Sequence, residues 1–168
     1  MNVKQEDSSD EIGARIRKAK KALEKIGYTP EDVSAKEFYD YMNGEIFSED
    51  TTTLKDVLGN EYLMVHELAE MSELKRMGRT IDTRVIVDSP KTVIYEAHLK
   101  AMEVELEYAI FKKDYFMAKV RIKQHKESVL NDDPNLPEKL RPRAEEILRK
   151  FKSLLEQRNN QRILIQKP

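Results

Sequence analysis

Histidine and glutamate residues recur at helical spacing in two stretches of the chain. In the first stretch, His66, Glu70 and Glu73 stand four and then three residues apart, and in the second, His98 and Glu105 stand seven apart. Residues at these intervals lie along one edge of an α-helix. Imidazoles and carboxylates that project from facing helices are the ligands with which helical bundles hold metal ions. The spacing therefore indicates a site shared by two helices.

These polar residues fall in or beside apolar helix faces. Glu61 lies within the apolar face of the first helix, and His98 and Glu105 interrupt the apolar arc of the second. Burial of an isolated carboxylate is costly, so such a group must be paired or metal-bound. Two interpretations stay open: polar contacts that are satisfied within the core, or a divalent-metal site built from His66, Glu70, His98 and Glu105.

One short segment, His66-Glu67-Leu68-Ala69-Glu70, resembles the His-Glu-x-x-His motif of the zincin metalloproteases. In that family the two histidines bind zinc and the glutamate acts as the general base. Here Glu70 stands in the position of the second histidine. The departure removes a zinc ligand and argues against protease chemistry.

The same segment resembles a motif of the all-helical nucleotide pyrophosphohydrolases, which bind magnesium through Glu-x-x-Glu and a later Glu-x-x-Asp. Glu67 and Glu70 match the first half of this pattern. The next long helix offers Glu103, Glu105 and Glu107 but no Glu-x-x-Asp. The resemblance implies a metal-dependent hydrolase, with only half of that family's site present.

A third resemblance concerns helical hairpins. Residues 113–118 (KDYFMA) resemble the Gly-Asp-Tyr-x-x-Ala turn of tetratricopeptide repeats, and residues 133–135 (DPN) resemble their closing Asp-Pro-Asn. The helix between them is too long for that family, and no second copy follows at a period of about 34 residues. The resemblance implies one antiparallel helical hairpin and favours an interaction role.

Residues 65–71 (VHELAEM) and 95–103 (YEAHLKAME) are similar to segments of an uncharacterised family of small archaeal helical proteins. The similarity extends over roughly residues 54–155. That family has no assigned function, so the resemblance implies a helical fold and gives no residue a role.

The elements that must position these residues are helices. Apolar spacing predicts an all-α fold, a bundle or hairpin array of five to six helices with no significant β-sheet. The second helix should bury Phe38, Tyr39 and Met42, with Ser34 as its cap. The expected helices cover about residues 8–26, 35–43, 54–77, 89–113, 115–131 and 138–157.

The helix at residues 89–113, capped by Ser89, is apolar over most of its circumference. A single polar stripe is formed by Glu96, Lys100, Glu103 and Glu107. A helix of this kind belongs inside a bundle. We expect it to form a central antiparallel pair with the helix at residues 54–77, while the last two helices form a hairpin with His125 at its edge.

The domain organisation follows from the same pattern. Residues 1–9 are polar and are expected to be a disordered N-terminus, followed by a single all-helical domain at residues 10–158. Residues 159–168 form a C-terminal tail. Its apolar segment, residues 163–165 (ILI), is expected to dock on the domain or on another subunit.

Composition limits the classes of function. No cysteine is present, which excludes disulfides and thiolate metal sites. No apolar run approaches the roughly 20 residues of a membrane span, and the N-terminus has no signal core, so a cytoplasmic location is expected.

The charge differs between the two parts of the chain. Residues 1–100 carry 15 Lys and Arg against 20 Asp and Glu (net −5), and residues 101–168 carry 15 against 11 (net +4). This mild asymmetry fits a solvated face, and nucleic acid is not an expected partner.

The sequence thus favours an uncharacterised helical domain with a protein-interaction or structural role, whose partner is itself, as a homo-oligomer, or another protein. The alternative is a metal-binding protein or metal-dependent hydrolase that uses His66, Glu70, His98 and Glu105 with a divalent metal as cofactor. Whether the chain is an enzyme is left open by the sequence.

Overall fold

In the computed structural model, the chain is described at residues 3–48, 50–131 and 133–165, with side chains at residues 8–48, 50–131 and 133–162. These residues contain no β-strand, which confirms the all-α prediction. In the same part of the chain, no helix combines the length and apolar character needed to cross a bilayer. The α-helices are α1 (Val3–Lys25), α2 (Ala35–Met42), α3 (Leu54–Leu58), α4 (Glu61–Arg76), α5 (Val85–Asp88), α6 (Lys91–Phe111), α7 (Tyr115–His125) and α8 (Arg141–Ile165).

Helix α6 lies between two hydrophobic cores, as its apolar circumference predicts. One side packs against α1, α2 and α4 in a core that includes Leu23, Phe38 and Leu68. The other side packs against α7 and α8 in a core that includes Ile147 and Phe151. Because both sides of α6 are covered, its buried acids, Glu103 and Glu105, must find partners inside the protein.

Helices α4 and α6 form the central pair, and they run antiparallel. The start of α4 meets the end of α6, where Lys112 Nζ lies 2.7 Å from Glu61 Oε1. This contact fixes one end of the helix pair. Further along the pair, His98 Nδ1 lies 3.2 Å from Glu70 Oε2. The antiparallel arrangement places the His/Glu edge of α4 directly against that of α6.

The polar stripe of α6 faces α8. Glu103 is buried and bonds to Arg143 Nη2 at 2.7 Å, and Glu107 lies 3.2 Å from Lys150 Nζ. Helix α7 completes this half with α8, where His125 Nε2 lies 3.0 Å from the Ala144 carbonyl. The stripe therefore serves as a helix-packing contact.

The helix expected at residues 54–77 is in fact two helices. The helix is interrupted at Gly59-Asn60. The Asn60 side chain accepts hydrogen bonds from the backbone N–H groups of Tyr62 and Leu63. Asparagine is a strong N-cap, so it begins a new helix one residue after the glycine that ends the first. The chemistry of α4 is unaffected by this correction.

The start of α6 also differs from expectation. Ser89 does not cap it, because Pro90 occupies the cap position, without a side-chain hydrogen bond, and Ser89 lies one residue before it in an extended conformation. A residue that precedes proline is driven towards extended conformations. The predicted cap at Ser34 is confirmed, since its side chain accepts a backbone N–H at the start of α2, and Asp114 caps α7 in the same way.

Both chain ends are more helical than expected. Helix α1 begins at Val3, so the disordered N-terminus expected at residues 1–9 is corrected for residues 3–9. Helix α8 continues to Ile165, so most of the expected tail at residues 159–168 is helix. The side chains of the apolar segment 163–165 and the whole of residues 166–168 lie outside the described part of the chain. Helix α7 ends early, and a π-helix follows it at Lys126–Asn131.

The burial of the tyrosines in α2 differs from expectation. Tyr39, which was expected to be buried, is exposed, and Tyr41 is buried. On a helix, Tyr41 lies three residues from Phe38 and shares its inward face. This correction brings a phenol towards the His/Glu edge of α4.

Gly44 allows the chain to leave α2 against the segment before α5. A Cβ at Gly44 would lie 2.6 Å from the Thr83 carbonyl oxygen and 3.0 Å from that of Asp40. The N–H of Glu45 donates to the same Thr83 oxygen at 2.8 Å, which holds the two segments together. We expect Gly44→Ala to lower the free energy of unfolding by about 1–3 kcal/mol, as overpacking does.

Gly59→Ala is the matched control, because the closest contact of a Cβ at Gly59 is at 3.4 Å. Its free energy of unfolding should stay within about 1 kcal/mol of the parent. Urea unfolding followed by circular dichroism measures both variants, and equal midpoints for the two would contradict the close approach at Gly44.

Candidate metal centre

Three side chains from α4 and α6 meet at one point. On α4, His66 and Glu70 stand one turn apart, and His98 of α6 faces them. Glu70 Oε2 lies 3.1 Å from His66 Nε2 and 3.2 Å from His98 Nδ1. One ligand atom from each of the three residues lies within 4.8 Å of the others. The two imidazole rings are 5.0 Å apart between centroids, so both reach the same side of one carboxylate.

The fourth predicted residue, Glu105, lies on the other side of His66. Its Oε2 atom is 3.6 Å from His66 Nδ1, whereas Glu70 faces Nε2. The two nitrogens of an imidazole point away from each other, so the two carboxylates flank the ring. Glu105 is therefore close to the group without being one of the three converging ligands, which corrects its predicted place as a direct ligand.

Glu105 is fully buried and takes its charge partner from a third helix. Arg121 of α7 donates from Nε to Glu105 Oε2 at 2.9 Å. Burial raises the pKa of Glu105, but His66 and Arg121 outweigh this effect and hold the pKa below its usual value. The second oxygen of Glu105 and the Nδ1 atom of His66 have no hydrogen-bond partner among the described residues.

Glu70 is held by a phenol as well as by the two imidazoles. The Tyr41 hydroxyl donates to Glu70 Oε1 at 2.5 Å, which leaves Oε2 directed at the histidines. Burial raises the pKa of Glu70, but the hydrogen bonds from His66 and His98 outweigh burial and hold the pKa well below its usual value. Glu70 is therefore an ionised carboxylate inside the protein.

His66 is the cation between these carboxylates. Burial lowers its pKa, but the contacts with Glu105 and Glu70 outweigh burial and raise the pKa to about 10. Glu67, on the same turn of α4, is half-buried, and burial and the charge of Glu70 raise its pKa to about 8. In the metal-free protein, the protonated His66 therefore balances the charge of Glu70, and Arg121 balances that of Glu105.

Solvent reaches the group at His98. The His98 side chain is 28% exposed, whereas the side chains of His66 and Glu70 are 5% and 10% exposed. The ring of Tyr95 stands at an angle beside it, with centroids 6.5 Å apart. The arrangement is a buried pair of ligands with a third ligand at the surface, which gives an ion a route of entry.

Two other acids from the sequence pattern lie elsewhere. Glu61 contacts Tyr108 and Lys112 at the far end of the helix pair. Glu73 accepts from Tyr28 at 2.6 Å and from Arg76 at 2.8 Å. These carboxylates are satisfied by local hydrogen bonds and do not join the centre.

The remaining histidine, His125, is not at a helix edge as expected. It is buried, its Nε2 bonds to the Ala144 carbonyl, and its Nδ1 has no partner among the described residues. Burial lowers its pKa, so it stays neutral near pH 7. His125 is a packing residue between α7 and α8.

Comparison with known proteins adds no relative. No protein-family model, no curated protein and no solved structure matches this chain. The resemblance to archaeal helical proteins therefore stays a prediction, and the centre is interpreted from its own geometry.

The pKa of His66 predicts how stability depends on pH. Its folded-state pKa of about 10 lies above its ordinary value of 6.5, so its stabilising contribution is complete below pH 6.5 and is lost as the pH rises towards 10. In metal-free buffer, the free energy of unfolding should fall between pH 8 and 9 by up to about 1.4 kcal/mol per pH unit. Chemical unfolding at fixed pH values measures this slope.

The range from pH 8 to 9 isolates His66. Glu67, with a pKa of about 8, contributes a slope of the same sign mainly below this range, and tyrosines whose pKa is raised from 10, such as Tyr41 and Tyr62, contribute mainly above it. His66→Gln should remove the slope, and His125→Gln, whose lowered pKa keeps it neutral in this range, should retain it. A parent protein with no slope between pH 8 and 9 would show that His66 is not the cation in the group.

Removal of Arg121 should leave the charge of Glu105 buried without its helix partner. We expect Arg121→Met to lower the free energy of unfolding by about 3–5 kcal/mol at pH 8. The loss should be smaller at pH 5, where Glu105 of the variant, which has lost Arg121, can take up a proton.

Arg84→Met is the control variant. It removes an exposed arginine that pairs with Glu45 and Asp88, and its unfolding midpoint should stay close to that of the parent. Equal losses for the two variants would argue against a structural role of the buried pair.

Proposed function

We propose that this protein binds a divalent transition-metal ion through His66 Nε2, His98 Nδ1 and Glu70 Oε2. The observation that carries the proposal is the convergence of these three atoms within 4.8 Å. They come from two different helices, so the convergence results from the fold and not from sequence proximity alone.

The separations suit a metal ion. Nitrogen and oxygen ligands bind zinc at about 2.0–2.2 Å, so neighbouring ligands in a tetrahedral or octahedral site lie about 3.0–3.5 Å apart. The two measured separations from Glu70 Oε2, 3.1 and 3.2 Å, fall in this range. These two separations would need little change to accept an ion.

The donor set favours a first-row transition metal over magnesium. Imidazole nitrogens suit Zn²⁺, Fe²⁺ and their neighbours, whereas Mg²⁺ prefers oxygen ligands and keeps its water. Two histidines and one carboxylate form the set found in zinc hydrolases and in non-haem iron sites. We therefore propose Zn²⁺ or Fe²⁺ as the ion.

The surroundings support the proposal, because each buried ligand has an outer partner. Metal-bound histidines commonly place their second nitrogen against a carboxylate, and metal-bound carboxylates are themselves hydrogen-bonded. Glu105 stands in this position beside His66, and Tyr41 holds the other oxygen of Glu70. These two residues would orient the ligands.

A centre with three protein ligands leaves coordination positions for water or a substrate. Metal-bound water is a nucleophile near neutral pH, so hydrolysis is the activity that such a centre would support. Nucleotides are not the substrate that we propose. The arginine beside the group, Arg121, is already bound to Glu105, and the ionised Glu70 would repel phosphate.

Metal analysis of untagged protein tests the proposal. We expect one Zn²⁺ or Fe²⁺ per chain, and stabilisation by about 3 kcal/mol at a free-ion concentration 100 times Kd. For a protein of this length this corresponds to a rise in Tm of about 5–10 °C. Mg²⁺ should have little effect. Because protons and metal compete for the same nitrogens, the affinity should rise from pH 6 to pH 8.

Glu70→Gln should abolish the rise in Tm, because it removes the ionised ligand while keeping its shape. Glu73→Gln is the matched control: it lies one turn further along α4 and bonds to Tyr28 and Arg76. If Glu70→Gln responds to metal as the parent does, or if no ion binds the parent, the cluster is a structural network of hydrogen bonds.

A further inference from the structure

Large apolar side chains are exposed at two separate places on the molecule. Phe111, Phe116 and Leu154 lie where α6 ends and α7 begins, and we call this the hairpin patch. Tyr39 and Ile46 lie on α2 and the loop that follows it, and we call this the α2 patch. Phe116 is 79% exposed, an unusual value for a side chain of this size. Exposed apolar groups of this kind are typical of contact surfaces.

The hairpin patch is a single surface formed by three helices. Only residues 112–114 separate α6 from α7. The Arg158 guanidinium lies 4.1 Å from the centroid of the Tyr115 ring, which brings α8 to the same end. Leu154 precedes Arg158 by one helical turn and so lies on the same face of α8. Its exposed side chain extends the apolar surface of the hairpin.

The rim of the hairpin patch is basic. Residues 112–126 contain six Lys and Arg and one Asp, and of these Lys112, Arg121 and Lys123 are paired with acids. Lys119 is exposed on the face of α7 that carries Phe116, since the two stand three residues apart. Arg158 adds a further positive charge from α8.

The α2 patch has the opposite charge. Residues 31–50 contain seven Asp and Glu and one Lys. Five of these acids are paired with a lysine or an arginine: Glu31, Asp32, Glu37, Asp40 and Glu45. A difference remains when all charges are counted, since residues 1–100 carry net −5 and residues 101–168 carry net +4. The two patches thus belong to parts of the chain with opposite net charge.

We propose that the hairpin patch of one molecule binds the α2 patch of a second copy of this chain. Charge decides between the ways in which copies can meet. Two hairpin patches in contact would bring lysines and arginines together, whereas a hairpin patch against an α2 patch pairs opposite charges. The contact is therefore head to tail and uses a different surface on each copy, so further copies can add to form an open chain or a closed ring. No ligand of the metal centre lies in either patch.

Sedimentation velocity of the full chain tests the proposal. Association should increase with concentration up to about 1 mM and should weaken when NaCl is raised from about 0.05 to 0.5 M. Phe116→Glu and Ile46→Lys should each weaken association at least about tenfold. Lys25→Gln on α1, which changes the net charge by the same amount as Phe116→Glu, should associate like the parent.

Mixing the two variants separates a head-to-tail contact from a symmetric one. Phe116→Glu retains an intact α2 patch, and Ile46→Lys retains an intact hairpin patch. An equimolar mixture should form dimers that grow no further, although each variant alone is monomeric. The proposal is overturned if the parent is monomeric throughout the concentration range, if neither substitution affects association, or if the mixture stays monomeric.

Discussion

Charges inside this protein must be balanced by other buried groups, and this constraint organises the fold around α6. Helix α6 is covered on both sides, so Glu105 cannot reach water and depends on Arg121 of α7 and His66 of α4. His66 in turn faces Glu70, which meets His98 back on α6. A continuous series of charged groups therefore joins three helices and both hydrophobic cores, and the candidate metal centre is one end of that series.

The sequence predicts this centre as far as local spacing allows. His66 and Glu70 stand one turn apart at the edge of an apolar face, and His98 and Glu105 interrupt an apolar arc, so a polar group shared by the two helices was a physical expectation. Tyr41 and Arg121 were missed because their contacts join helices that are distant in the chain. The only local signal for Tyr41 was its spacing from Phe38. The caps show the same limit: Ser34 was predictable, whereas the combined effect of Gly59 and Asn60 on one helix was not.

A purely structural network and a metal centre require nearly the same geometry, and they differ in what neutralises Glu70. In a structural network, protons on the two imidazoles neutralise Glu70, and replacement of such groups by apolar residues often costs little stability. In a metal centre, the ion neutralises Glu70, and the two histidines bind the ion through their lone pairs. The position of His98 favours the second arrangement. It is partly exposed, and Glu70 already receives hydrogen bonds from Tyr41 and His66 without it.

Helix α2 connects the proposed metal centre with the proposed contact between copies. Tyr41 points inward and holds Glu70, while Tyr39, two residues earlier, is exposed in the α2 patch. The hairpin patch has no such link, because Phe111 lies 13 residues from His98, about 20 Å along the axis of α6. A copy bound at the α2 patch would restrict the helix that orients Glu70. If this favours the metal-binding arrangement, metal must favour association by the same factor, since linkage between two binding events is reciprocal.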